Sequence, residues 1–161
     1  MQKEKAFLDR GPGEGKVVSI AGDIVVFKAT GEDTGGAYAL MEDILPPGGG
    51  PPPHFHTREV ESFYVLEGEI EFYVDGETVK GTPGKFIQVS KGTVHSFKNV
   101  SSAPAKMLIL VAPSGLEKLF EEAGHAMNSS EDPAPPFTEE DIRRLIETAP
   151  RYGITIMPPG E

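Results

Sequence analysis

A chain of 161 residues with 38% hydrophobic and 8% aromatic side chains can bury one compact core and is short for two, which excludes global disorder. A net charge of -10 excludes the clustered basic surface that nucleic-acid phosphates require, and the lack of any cysteine removes disulfides, thiolate metal sites and a cysteine nucleophile. With no apolar leader in "MQKEKAFLDRGPGEGK" and no run of eighteen apolar residues, no membrane partner is predicted and a cytoplasmic location is expected.

The nineteen glycines and fifteen prolines form no repeat; they punctuate short apolar runs, as turns do in an all-β fold. "KVVSIAGDIVVFKAT" (16–30) is rich in β-branched residues and broken at Gly22-Asp23, which predicts a hairpin of two short strands. "GAYALMEDILPPGG" (36–49) predicts a strand that stops at Pro46-Pro47, where ladder donors run out. Residues 61–74 predict two more. Ile70, Phe72 and Val74 alternate with Glu69, Glu71 and Tyr73, and Asp75-Gly76 supplies a tight turn.

"KFIQVSKGTVHSFKNV" (85–100) predicts strands on either side of Lys91-Gly92, and "AKMLILVAP" (105–113) one strand buried on both faces. Phe63, Phe72, Phe86 and Phe97 are expected in the core. Two helices follow: one capped by Ser114 and ended by Gly124, with Leu116, Leu119 and Phe120 on its apolar side. The other is capped by Thr138, with acids in its first turn and an apolar stripe of Ile142, Leu145 and Ile146. "NSSEDPAPP" reads as a linker between them, and "YGITIMPP" as a last strand or tail. The expected organisation is one domain over 1–161, with a barrel core at about 16–113, a helical extension at about 114–150 and a strand or tail at 152–161.

Chemistry concentrates in "GGGPPPHFHTREVESFYVLEGEIEFYVDG", Gly48 to Gly76, where two of the four histidines stand one residue apart. On a strand, His54 and His56 present their imidazoles to the same face. Glu61 has the opposite parity, so "TREV" (57–60) must reset the register before Glu61 can join them, sharing a face with Phe63 and Val65. His95, at a strand start in "GTVHSF", is the candidate third imidazole. Three imidazoles and a carboxylate suit one divalent transition metal (iron, manganese, nickel, cobalt, copper or zinc), with positions left for water, dioxygen or substrate. Glu59 is the rival carboxylate; with Glu61 as ligand, Glu59 reads as a solvated surface group. His125, at a helix end without a partner at useful spacing, is left out of the site.

These intervals resemble those of the cupins. Gly48, His54, His56, Glu61 and Gly68 fit that family's first motif, and Gly84, Gly92, His95 and Asn99 fit its second, where Ser90 stands in place of the usual proline. The resemblance covers about residues 36–113 and implies a double-stranded β-helix, a small jelly-roll barrel, holding one metal on His54, His56, Glu61 and His95. The helical tail is similar to that of small quercetin dioxygenase-like cupins. The implied activity is a metal-dependent dioxygenase acting on a small aromatic or enol-type molecule, with Glu61 also taking the substrate proton. A metal-dependent isomerase or decarboxylase, or a non-catalytic small-molecule-binding cupin, are the alternatives. The first of these would want a cationic clamp, and near the motifs only Arg58, Lys85, Lys91 and Lys98 are available. A homodimer paired through an exposed N-terminal strand edge is also expected.

Overall fold

The computed structural model describes residues 6–158; residues 1–5 of the chain and 159–161 of the expected tail lie outside them. Twelve strands are named here in chain order: β1 Lys16–Ile20, β2 Asp23–Ala29, β3 Ala39–Leu45, β4 His54–His56, β5 Val60–Glu67 and β6 Ile70–Val74. They continue as β7 Glu77–Gly81, β8 Phe86–Val89, β9 His95–Asn99, β10 Ala105–Ala112, β11 His125–Met127 and β12 Ile154–Ile156. The helices are α1 Gly31–Thr34, α2 Leu116–Ala123 and α3 Glu139–Thr148, with a 3-10 turn at Ala149–Tyr152.

The strands form two antiparallel sheets, in the orders β11-β1-β2-β3-β10-β5-β8 and β12-β4-β9-β6-β7. Face to face they make a jelly-roll sandwich, not a fully closed barrel. Period-2 alternation builds the interior. Ala39, Met41, Asp43 and Leu45 of β3 point inward, as do Ala105, Met107, Ile109 and Val111 of β10. Phe63 of the larger sheet meets Phe72 and Phe97 of the smaller one, with ring centroids 5.3 and 5.4 Å away, and this aromatic cluster ties the sheets together beside the site. Phe86 departs from expectation. It lies on the edge strand β8 with the parity of Gln88, and both face solvent while Val89 faces in.

Turns follow local chemistry. Asp75 and Gly76 both take positive φ (50° and 80°), the pair of left-handed residues that a two-residue hairpin demands. The first hairpin turns one residue earlier than expected, at Ala21-Gly22, so Asp23 opens β2 and points inward. At Gly50 (φ 153°) an added Cβ would lie 1.8 Å from the Phe97 carbonyl oxygen, so the glycine-proline run can press against β9 only because it begins with glycine. Asn99 fastens the same region: its amide donates to the carbonyls of Leu45 and Ala103 while its oxygen accepts from the Ser101 amide.

Helix α2 is capped by Gly115, not Ser114; the buried Glu117 carboxylate accepts from the Gly115 and Gly31 amides. Helix α3 is capped by Thr138 as predicted, in a reciprocal box with Asp141. Its stripe is only partly used. Leu145 packs against the core, whereas Ile142 and Ile146 face solvent. His125 belongs to β11, not to a helix end, and its Nε2 pairs with Asp141 at 2.7 Å, tying that strand to α3. β11 also covers the outer edge of β1, so the N-terminal strand edge offered above as a dimer surface is already paired within the chain. Among the described residues no helix is long and apolar enough to cross a membrane.

Candidate metal centre

The two sheets supply the site from opposite sides. β4 and β9 are neighbours, with His54 directly opposite His95. Their ring centroids lie 4.4 Å apart, and the His56 ring lies 5.0 and 5.4 Å from those of His54 and His95. Glu61 reaches in from β5 of the other sheet, between Val111 of β10 and Val89 of β8. The bend at Thr57 and Arg58 resets the parity, as the spacing required. One ligand atom from each of His54, His56, Glu61 and His95 then lies within 4.8 Å of all the others, a group that can hold a metal ion.

Each imidazole is held from behind. His54 Nδ1 faces the Pro52 carbonyl at 2.9 Å, His95 Nδ1 the Thr93 carbonyl at 2.9 Å, and His56 Nδ1 the Glu59 carboxylate at 2.5 Å. A carbonyl or carboxylate oxygen only accepts, so every Nδ1 carries a proton and the Nε2 lone pairs are left to turn inward. Two of these partners come from the loops before the ligands: the stiff Pro51-Pro52-Pro53 run and the turn closed by the Thr93 amide on the Ser90 carbonyl. Serine suffices at position 90, since its carbonyl makes that turn. Glu59 is therefore not the solvated group expected above. It is buried, 3% exposed, and it sits on the far nitrogen of His56.

The inward atoms lack enough protein partners of their own. His56 Nε2 is buried with no hydrogen-bond partner among the described residues. His95 Nε2 lies 2.7 Å from Glu61 Oε1 while its Nδ1 also faces an acceptor, an arrangement that needs either a second proton or a cation at Nε2. The donor set fits a divalent ion by its own chemistry: three nitrogens poised as acceptors and one carboxylate, with an orphaned buried nitrogen between them.

Electrostatics follow burial. Desolvation pushes His54 down to about 4, helped by the charge of His95. Burial acts against the charged form of His56 too, but the Glu59 hydrogen bond and the charges of Glu61 and Glu59 outweigh it and raise its pKa. For Glu61 burial favours the neutral acid, yet the His95 hydrogen bond and the three imidazoles hold it below the usual carboxylate range.

The cluster opens onto a cavity of about 680 Å³ including its mouth. Apolar side chains form most of the wall, among them Ile109 and Phe97 from the sheets, Leu119 and Phe120 from α2 and Leu145 from α3. Two further acids face it, Asp23 and Asp43, and neither was singled out from the sequence. The strand parity of Asp43 with Met41 and Leu45 was the available signal. Burial pushes Asp23 up to about 7, and burial with the Asp23 charge raises Asp43 well above the ordinary range.

Residues 41–111 match the family described as "Cupin domain". This stretch is a cupin domain. Over 149 residues the chain is 26% identical to quercetin 2,3-dioxygenase of Bacillus subtilis, a match covering 91% of the chain and 43% of that protein. It is 37% identical over 84 residues to germin-like protein 5-1 of Oryza sativa subsp. japonica, covering 48% of the chain and 36% of the relative. The chain thus spans less than half the length of either. Among solved structures, an RmlC-like cupin from Shewanella frigidimarina superposes with a TM-score of 0.59 at 19% identity, covering 73% of this chain and 99% of the other. That likeness concerns the fold.

Proposed function

We propose that this cupin is a metal-dependent oxidoreductase, a mononuclear dioxygenase acting on a small aromatic or enol-type substrate. One observation carries the reading: three imidazoles with Nδ1 restrained from behind converge with Glu61, and His54, His56 and Glu61 line a largely apolar cavity. The similarity to quercetin 2,3-dioxygenase supports the choice of reaction. His54, His56, Glu61 and His95 hold the ion. A divalent transition metal there supplies a Lewis acid for an enolate oxygen and a route for electrons between substrate and dioxygen. Apolar walls receive the carbon skeleton and exclude water from the reacting end. Glu61, kept anionic by the surrounding imidazoles, accepts the enol proton as the substrate binds.

The isomerase or decarboxylase alternative is weaker on a specific ground. A phosphate or carboxylate substrate needs a cationic clamp, and among the described residues no lysine or arginine lines the cavity. Arg58, Lys85, Lys91 and Lys98 all face solvent. A non-catalytic binding role would leave the ligand unchanged.

The test is anaerobic loading of the protein with each candidate metal and then with a flavonol, followed by admission of oxygen. Oxygen uptake matched to flavonol loss is expected with at least one metal. Stable flavonol binding without uptake under every metal would replace the dioxygenase by the binding role.

A further inference from the structure

Asp23 and Asp43 are the least expected residues of the cavity wall. They are 6% and 2% exposed, and they stand on neighbouring strands of the larger sheet, whereas the three imidazoles stand on the smaller one. Val25 is the register partner of Asp43, so Asp23 lies diagonally across from it on the same inward face. Asp23 Oδ1 and Asp43 Oδ1 are buried with no hydrogen-bond partner among the described residues. Among the described residues no lysine or arginine lines the cavity to neutralise them. Two buried acids without cation or donor are costly to the fold, and apolar residues at both positions would pack the strands without that cost.

We propose that Asp23 and Asp43 form a ligand-recognition pair, holding a hydroxyl or carbonyl oxygen of an otherwise apolar molecule across the cavity from the imidazole cluster. The inference rests on the reading of that cavity as a substrate site and names what its other wall selects. Two adjacent carboxyls cannot both ionise in a dry wall, so they share a proton and present one donor beside several acceptors. A hydroxyl group, itself donor and acceptor, completes that set. A ligand carboxylate or phosphate would meet like charge. The ligand class is therefore an uncharged, hydroxylated and otherwise apolar compound, gripped at one end by the ion and at the other by this pair.

The experiment compares anaerobic binding of two probes to the metal-loaded protein: a flavonol, and the same flavonol with its remote ring hydroxyls methylated. Wild-type protein is expected to prefer the free hydroxyls by about tenfold or more, because a site built for a hydroxyl rejects the group that leaves it unpaired. Asp43→Asn and the double variant with Asp23→Asn are expected to lose most of that preference while keeping one metal per chain. Unchanged preference in variants that retain the metal would overturn the assignment, as would failure of both flavonols to bind, or a second metal per chain bound through these acids. Should the variants not fold, infrared difference spectra of the wild type decide. A protonated-carboxyl band at neutral pH that shifts when the flavonol binds supports the pair; a band that stays put refutes it. Binding preference without oxygen uptake would sink the dioxygenase reading and leave this pair standing. Uptake with preference unaltered in Asp43→Asn would do the reverse.

Discussion

Removing the carboxylate behind His56 separates a metal centre from a merely polar cluster. Glu59 and His56 are each 3% exposed, and the Oε1–Nδ1 distance is 2.5 Å. In Glu59→Ala the Nδ1–H loses its buried acceptor, which costs roughly 1–3 kcal/mol, and the ring is free to turn or to take the other tautomer. Loss of such an outer partner lowers metal affinity by about 10- to 100-fold, or roughly 1.4–2.7 kcal/mol. Glu59→Gln keeps an acceptor oxygen and loses only the charge, so its loss belongs at the lower end and that of Glu59→Ala at the upper. Competition against a chromophoric chelator measures both, with circular dichroism of the metal-free variants as a control for folding. Glu59→Ala binding within about twofold of wild type would refute the argument. Glu59→Gln failing as completely as His56→Ala would mean that Glu59, not Glu61, is the ligand.

Three other outcomes follow from the same geometry. In chelator-treated protein, Asp23, raised from its ordinary 3.8 to about 7, stays protonated in the fold where the unfolded chain has ionised. Its stabilising share is complete below pH 4 and is lost as pH rises towards 7. Asp23→Asn should therefore raise the melting temperature at pH 8 more than at pH 4, and an equal change at both values would contradict the buried-acid argument. Gly50→Ala should destabilise by about 2 kcal/mol or more, read by urea melts, since its methyl group has no room beside the Phe97 carbonyl. Thr138→Ala should cost about 1 kcal/mol through loss of the α3 cap; no change in the urea midpoint would mean the box contributes nothing.

Much of this was legible in the sequence because its signals are local or rest on fixed spacing. Alternation in "EIEFYV", the Asp75-Gly76 turn and the Thr138 cap each act over a few residues, and the structure carries all three. The ligand intervals brought His54, His56, Glu61 and His95 together because glycine-bounded turns and strand parity jointly fix where each side chain emerges. What was missed depends on contacts distant in sequence. Three-residue β11 exists only because β1 offers it an edge, and that pairing removed the basis for dimerisation through the same edge. Ile142 and Ile146 have helical spacing but no facing surface. Glu59 looks like any strand-flanking acid until His56 is seen to turn its outer nitrogen towards it. Asp23 was hidden by a turn that falls one residue earlier.

On the proposed reading, three imidazoles and the Glu61 carboxylate hold one ion. Elemental analysis of protein purified without chelator, run beside His54→Ala and His95→Ala, tests it most directly. About one transition-metal ion per wild-type chain and little in either variant is the predicted result; equal metal in all three, or none in protein offered every candidate ion, would contradict it.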